Sequence, residues 1–534
     1  MITAIILART ESSRLKNKHL LKIGKYSLLE NIYLKLKLNR NISDIYLATG
    51  PKKKNLVYEN YIKLKKLKIK IFYHEKENNV TERIDKLSNR IKNNHTIVIS
   101  GDCPAIDNDY INLAYKNIKL KKTDFVKSSK KTLHEGIILF KTNAWSKVQK
   151  KSKSFILQEN PGYVLRVKKN LFNFSTFKPL KKDTGLNLRL SIDTLSDLQF
   201  FRLVNYHSKN DLISYKDTIK FRKYNSINKN IVQKKVQEPK KRTIFIITSA
   251  NNEIGYGHLA RSKILHRQIS ETYTTDICYV FYKTQINSSL RGYINHEKYL
   301  NYEDFVKRNT ADCVLIIDLH KDYFDHNLKY FKKYKSIIID NYSKFKKHIN
   351  VIPTIKKIIN KEYNNIFSGK KYLILSKDLL FENLKKKKKK INHLFLFGST
   401  KSPEKKFLDD ITASKIKDYL IILGPYVKKY VIKTLKDKNF KIVVNPKNYY
   451  ELLCTSKNVT CIYGVSTYEA ISIGLKPSIY ISKNETIERL KDIKFLKNKN
   501  LCKNYDYKDL KHTNNLNSIN LKIPFGGNNI LKFI

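Results

Sequence analysis

The residues with the greatest chemical capacity lie in short loops that follow runs of apolar, β-branched residues. After TAIILA (3–8) the chain reads ARTESSRLKNKHLL (8–21), so Arg9, Arg14 and Lys18 share one loop with Ser12 and Ser13. Three fixed cations, two hydroxyls and the loop N–H groups can wrap a triphosphate. The same residues would also suit a basic surface turn, and the GxxxxGK spacing of a Walker loop is absent. Asp102 follows HTIVIS (95–100) in Gly-Asp-Cys-Pro, and Asp193 stands in Ile-Asp-Thr. Carboxylates at strand ends can hold Mg²⁺ against phosphates, or cap a helix or turn. After TIFIITSA (243–250) comes NNEIGYGHLARSKIL (251–265). Gly255 and Gly257 let the backbone approach a ligand. His258, on a strand-to-helix loop, is placed for general-base work or is an ordinary buried or surface histidine. Further on, Gly398, Ser399 and Thr400 follow one strand-like run. Gly464, Ser466 and Thr467 follow another and offer N–H groups and hydroxyls to phosphate. Glu469, one turn later, can accept two hydrogen bonds from a ribose diol, although Ser-Thr-x-Glu is also a capping arrangement.

These loops need rigid supports, and the runs before them supply candidates. DIYLATG (44–50), DCVLIID (312–318), SIIID (336–340), HLFLFGS (393–399), DYLIILGP (418–425), FKIVVN (440–445), VTCIYG (459–464) and PSIYIS (477–482) join those above. Apolar runs of this length predict strands covered on both faces. Stretches of helical apolar spacing such as SLLENIYLKLKL (27–38) separate them, so the expected class is α/β with mostly parallel sheets. In such sheets ligands bind beyond the carboxyl ends of the strands. A lysine-rich stretch (224–242) marks the main boundary, and the run LKKKKKKI (384–391) marks a second. The expected division is a first domain at 1–223, a linker at 224–242, and two lobes at 243–385 and 386–534.

The net charge of +60 suggests a polyanionic partner such as nucleic acid, or a membrane surface. The basic residues are mostly lysines spread over all 534 positions, which favours a composition bias over a nucleic-acid-binding protein. No apolar run is long enough to cross a membrane. The N-terminal apolar run lacks the features of a signal peptide and reads as a first strand. Six cysteines without CxxC or Cys/His ligand spacing fit a reducing cytoplasm.

The segment 8–21 resembles the opening of the nucleotidyltransferases that activate sugar acids or build spore-coat and surface polysaccharide. GKYSLLENI (24–32), ISGDCPAID (99–107) and LRLSIDTLSDLQFFRLV (188–204) continue that resemblance over about the first 205 residues. It implies a Rossmann-like, mixed-sheet nucleotidyltransferase domain that uses CTP, a sugar acid and Mg²⁺. It also implies roles: Ala8, Arg9, Ser13 and Gly101 at the nucleotide, Arg14 and Lys18 in catalysis, Asp102 and Asp193 at the metal. Glu11 and Lys16 depart from it, standing where that family has Gly and Pro.

IGYGHLAR (254–261) resembles the start of the UDP-sugar hydrolase of pseudaminic acid synthesis. DCVLIIDLHKDYF (312–324), SGKKYLILSKDL (368–379), HLFLFGSTKS (393–402), NPKNYYELL (445–453) and GVSTYEAISIGLKPSIYIS (464–482) follow in order. This second resemblance, from about 243 to 485, implies a two-lobed GT-B-like module that binds a UDP-sugar and needs no metal. It implies His258 as the catalytic base. Gly255, Gly257, Gly398, Ser399, Thr400, Gly464, Ser466, Thr467 and Glu469 would line the nucleotide. Departures are Leu319, Ser399, Lys401 and Val465. Together the halves imply a bifunctional enzyme of sialic-acid-like sugar and surface glycan synthesis. The alternative is a surface-polysaccharide glycosyltransferase with a nucleotidyltransferase-like first domain.

Overall fold

The fold comes from a computed structural model. It describes residues 1–12, 14–128, 137–178, 180, 190–224, 243–273, 275–285, 298–308, 312–363, 365–398, 403–481, 486–506, 527 and 529–534. The chain forms two compact units, Met1–Gln233 and Lys234–Ile534. Most of the expected linker, 225–242, lies outside the described residues.

All the apolar runs quoted above become strands, and their neighbours in each sheet follow one plan. In the first unit β1 (Ile2–Leu7), β2 (Ile42–Thr49), β3 (Lys70–Tyr73), β4 (His95–Ser100), β5 (Phe125–Ser128), β6 (Ile137–Lys141) and β7 (Phe174–Phe177) form one sheet. Its order is β3-β2-β1-β4-β6-β5-β7. β1 pairs in parallel with both β2 and β4, while β6 runs antiparallel to β4 and β5, so this sheet is mixed. β1 is buried throughout but for partly covered Leu7, as a strand with helices on both faces must be. Trp145 is fully buried and donates its indole N–H to the Thr81 carbonyl at 3.1 Å, so the largest side chain of the core leaves no polar atom unpaired.

The second unit holds two sheets. One contains β8 (Thr243–Thr248), β9 (Ile277–Phe281), β10 (Lys298–Asn301), β11 (Cys313–Asp318), β12 (Lys335–Ile339), β13 (His348–Val351) and β14 (Ile366–Phe367). Its order is β10-β9-β8-β11-β12-β13-β14, and every pairing is parallel. The other contains β15 (Ile391–Leu396), β16 (Tyr419–Leu423), β17 (Ile442–Val444), β18 (Ser456–Ile462), β19 (Ser478–Tyr480) and β20 (Lys503–Asn504), in the order β17-β16-β15-β18-β19-β20, again parallel. The lysine run before β15 is a docked connection: Lys387 pairs with Glu451 at 2.7 Å and Lys389 donates to the Cys454 carbonyl at 2.9 Å. Residues 530–534 do not stay with the β15 sheet. Ile530, Leu531 and Ile534 are buried in the core of the β8 sheet with Tyr372 and Ile374, and Tyr273 donates its phenol to the Leu531 carbonyl at 3.2 Å.

In the first unit the helix caps come from residues other than the predicted metal carboxylates. Ser27 and Glu30 form a reciprocal capping box on helix Leu28–Lys37. On helix Leu195–Ser208 the box is Thr194 with Asp197, and both Asp193 N–H and Thr194 N–H donate to Asp197 Oδ2. The cap is therefore Thr194, and the Asp193 carboxylate is left for other work. Asp107, not Asp102, caps helix Asn108–Lys121.

Ile530→Ala is expected to lower the unfolding free energy of the second unit by about 2–5 kcal/mol, the usual range for emptying a buried isoleucine site. Denaturant melts that follow the two units separately would check this. The first unit should be unaffected.

Candidate active sites

In the first unit the loops after β1 and β4 emerge side by side, at the point where the strand order turns back. Gly101 sets their spacing. Its N–H donates to the Leu7 carbonyl at 2.8 Å, and a Cβ at this position would lie 2.3 Å from that same oxygen. Gly101 thus has no free N–H for a nucleotide, and what it contributes is close approach. Ala8 is buried beside it. The β1 loop is tied down by Thr10, whose N–H donates to Asn55 Oδ1 and whose hydroxyl donates to the Lys54 carbonyl, both at 3.1 Å.

Over this floor Lys18 bridges the two predicted metal carboxylates. Its Nζ lies 2.9 Å from Asp102 Oδ2 and 2.9 Å from Asp193 Oδ1. Arg14 Nη2 reaches Asp193 at 3.5 Å, and Arg14 Nη1 is buried with no hydrogen bond to a described residue. Ser100 donates to Asp102 Oδ1 at 2.6 Å. Burial alone would push the Asp102 carboxyl up, but the Lys18 charge and the Ser100 and Lys18 hydrogen bonds outweigh it and hold it down at about 2. Burial lowers the Arg14 guanidinium, and nearby Asp197 and Asp102 oppose this. His19, beneath the loop, meets the Tyr58 phenol at 2.8 Å. Burial and the Lys18 charge drive it down to about 3, so it stays neutral.

Two loop residues lie apart from this cluster. The Arg9 guanidinium donates to Asn78 Oδ1 at 2.7 Å and Glu159 Oε1 at 3.0 Å, at the rim. Glu11 points outward to Lys54 at 3.2 Å, which removes the repulsion its carboxylate would otherwise exert on a triphosphate. Ser13 lies outside the described residues.

Residues 3–237 match the cytidylyltransferase family. The first unit is a cytidylyltransferase-family domain. An uncharacterized protein of Methanocaldococcus jannaschii is 28% identical over 242 residues, 44% of this chain and 98% of that protein. Among solved structures, a cytidylyltransferase from Leptospira borgpetersenii is 20% identical and aligns over 44% of this chain and 98% of its own, with a TM-score of 0.38. A CMP:2-keto-3-deoxy-manno-octonic acid synthetase complexed with CTP is 16% identical over 39% of this chain and 99% of its own, with a TM-score of 0.32.

Beyond the cytidylyltransferase domain, the β8 sheet repeats the arrangement of loops. Residues 249–256 leave β8 in a tight turn: Gly255, at φ 82°, donates its N–H to the Asn251 carbonyl at 2.9 Å, a conformation that side chains disfavour. Helix Gly257–Thr272 follows, with no side-chain cap, and open space lies in front of Gly257. His258 therefore does not cap the helix. Its Nδ1 lies 2.7 Å from Oδ1 of fully buried Asp318, the last residue of β11. Arg261, one turn on, joins Asp318 to Asp340, which follows β12. Leu319 is buried, and the neighbouring His320 presents its ring edge-on to His258 at 6.4 Å. Arg261 and Asp318 lie within the segments IGYGHLAR and DCVLIIDLHKDYF, whose resemblance implies no role for either, and Asp340 lies outside both. The available signal was that the runs DCVLIID and SIIID both end in aspartate.

In the β15 sheet the loops after β15 and β18 are again neighbours. Gly398 ends the described part of the first, and Ser399 and Thr400 lie outside the described residues. Gly464 opens helix Val465–Ser472 with clear space before it. Thr467 is fully buried and its hydroxyl accepts the Gly464 N–H at 3.3 Å, so it closes the turn from inside instead of facing a ligand. Glu469 accepts the Tyr449 phenol proton at 2.8 Å, and the Ser466 hydroxyl lies 3.4 Å from the same phenol oxygen. Burial pushes the Glu469 carboxyl up to about 7, with Tyr449 and Tyr450 pulling against it. Helix Ile487–Asn498, which carries no motif, also reaches this region: Tyr463 donates to Asp492 at 3.0 Å and shares a 2.6 Å hydrogen bond with the Tyr468 hydroxyl. Among the described residues no group of three or more His, Cys, Asp or Glu could hold a metal, and no helix is long and apolar enough to cross a membrane.

Lys18→Met leaves two largely buried carboxylates without their cation. The expected loss at neutral pH is about 3–5 kcal/mol, measured by denaturant unfolding across pH. Asp102 titrates lower folded than unfolded, so this contribution is present above about 4, the ordinary aspartate value, and fades as pH falls toward 2. The gap between wild type and variant should therefore narrow in acid.

Proposed function

We propose that the chain is a bifunctional sugar-nucleotide enzyme. The cytidylyltransferase domain joins CTP and a sugar acid. The second unit cleaves a UDP-diacetamido-sugar to UDP and free sugar. The observation that carries the first part is the convergence of Arg14, Lys18, Asp102 and Asp193 in one crevice.

In the first reaction a hydroxyl oxygen of the sugar acid attacks the α-phosphorus of CTP. The bond from the α-phosphorus to the bridging oxygen of the β-phosphate breaks, pyrophosphate leaves, and the hydroxyl proton passes to water. Arg14, with its unpartnered Nη1, and Lys18 bind the phosphates and offset the charge that builds on them. Asp102 and Asp193 would hold Mg²⁺. Two carboxylates already gathered on one cation are a sufficient protein share for an ion that keeps waters and phosphate oxygens as its other ligands. When bound, that ion supplies Lewis-acid charge neutralisation at the phosphates.

The second unit's two all-parallel sheets suit a two-lobed GT-B-like module with the nucleotide on the β15 lobe. The His258–Asp318 contact supports a base that takes a proton from water as it attacks the anomeric carbon, while the bond to UDP breaks. Transfer to a second sugar would use the same base, so product analysis decides between hydrolase and glycosyltransferase.

With CTP, Mg²⁺ and a sialic-acid-like sugar acid, the full chain should release pyrophosphate. Asp102→Asn and Asp193→Asn should each lower that rate at least about 10²-fold, the scale of one lost transition-state contact, without changing UDP release. His258→Asn should do the converse, abolishing UDP release from a UDP-diacetamido-sugar while UDP still binds in calorimetry. Pyrophosphate release that survives both aspartate substitutions would overturn the first site.

A further inference from the structure

We infer that Asp318, Arg261 and Asp340 form a positioning network that fixes the tautomer of His258 and leaves its Nε2 free to take a proton. This rests on the hydrolytic reading of the second unit. The network spans three elements: Arg261 on helix Gly257–Thr272, Asp318 at the end of β11, and Asp340 just after β12.

Two groups compete for His258 Nδ1. Asp318 Oδ1 is 2.7 Å away and Arg261 Nη2 is 3.2 Å away. Arginine only donates and a carboxylate only accepts, so the two contacts demand opposite tautomers. If Nδ1 accepted from Arg261, its lone pair would face a carboxylate oxygen at 2.7 Å, which is repulsive. If Nδ1–H donates to Asp318, the shorter contact is a charge-assisted hydrogen bond, and each Arg261 nitrogen still has a carboxylate partner. It donates from Nε to Asp318 Oδ2 at 3.0 Å, from Nη2 to Asp318 Oδ1 at 2.7 Å and from Nη1 to Asp340 Oδ2 at 2.7 Å. The second arrangement keeps both carboxylates paired and puts no lone pair against a carboxylate oxygen, so the proton sits on Nδ1. Nε2 makes no hydrogen bond to a described residue.

The charges point the same way. One guanidinium and two carboxylates sum to a single negative charge around a neutral imidazole, and to zero once His258 is protonated. Burial works against the Arg261 cation, but Asp318 and Asp340 more than offset it, so it stays charged. The Asp340 side chain is half-exposed, yet protein atoms crowd its carboxyl and oppose its charge; Arg261, with smaller help from His258 and Arg489, outweighs this and holds the carboxyl low. Charged and titratable groups that face the network are His320 from the next helix start, and Tyr342, Tyr468, Arg489 and Asp492 around Asp340. Asp340 holds φ at 61°, a left-handed conformation that aspartate tolerates better than most residues, and this is the backbone setting that brings it to Arg261.

A brace that merely ties the strands together would be indifferent to the tautomer, and this separates the two roles. Nitrogen NMR of the full chain, labelled in its histidine rings and assigned with His258→Asn, should show Nδ1 protonated and Nε2 bare. In Asp318→Ala the nearest partner of Nδ1 is Arg261, so the proton should move to Nε2. The kcat for UDP release from a UDP-diacetamido-sugar should fall on the order of 10³-fold with KM little changed. Adding Arg261→Met to Asp318→Ala removes the competing donor and should restore part of kcat. If the double variant is no better than the single one, or Nε2 already carries the proton in the wild type, the inference is overturned. Asp340→Asn, at a half-exposed side chain that folding should tolerate, should move the acidic limb of the kcat/KM profile to lower pH; an unmoved limb removes Asp340 from the network. A wild type that releases no UDP would sink the hydrolytic reading alone, because the ring-nitrogen result decides the tautomer without substrate.

Discussion

Everything chemical in this protein depends on where hydrogen-bonded strand order reverses. β1 lies between β2 and β4, β8 between β9 and β11, and β15 between β16 and β18. In a parallel sheet each connection must cross over a face, and connections leaving the first strand and its later neighbour depart to opposite faces. Their loops diverge and leave a crevice at the carboxyl ends of the strands. The three crevices received the Lys18 cluster, the His258–Asp318 pair and the Gly464 turn respectively. One backbone rule, applied three times, decides which residues far apart in sequence can meet.

What fills each crevice differs in electrostatic kind. In the cytidylyltransferase domain two carboxylates are neutralised by a lysine ammonium, and a second cation stands beside them with an unused donor. That arrangement suits a polyanion arriving with its own metal. In the β8 sheet two carboxylates share one guanidinium beside the His258 imidazole, with no second fixed cation bonded to them among the described residues. The β15 crevice carries little charge: Glu469 titrates near neutrality under two tyrosines, and the turn offers N–H groups and a hydroxyl.

The strands that carry these sites were legible because burial on both faces demands unbroken apolar runs, and each run ended at its site residue. Short edge strands such as β3, β10 and β20 were not legible. They are half-exposed, mix lysine with apolar residues and are held mainly by their neighbours. The antiparallel β6 was equally hidden, since pairing direction leaves no trace in a five-residue run. Among site residues, Arg14, Lys18, Asp102, Asp193 and His258 stood out by type and place. Arg9, Gly101, Thr467 and Glu469 were also visible, but what the fold asks of them was not. Whether a glycine N–H is free, or a threonine hydroxyl turns inward, depends on neighbours brought in by the fold. Asp340 and Arg261 gain meaning only when adjacent strands align their ends.

The burial of Ile530, Leu531 and Ile534 in the β8 core has a consequence for the order of events on the ribosome. β8 leaves the exit tunnel about 280 residues before the side chains that complete its packing, a delay of roughly 15 to 60 s at ordinary elongation rates. The cytidylyltransferase domain draws its core from its own stretch of chain and can finish folding meanwhile. The β8 sheet instead waits with part of its apolar face uncovered. The abundance of lysine along that waiting segment, of little help to recognition, would then serve to keep nascent chains apart.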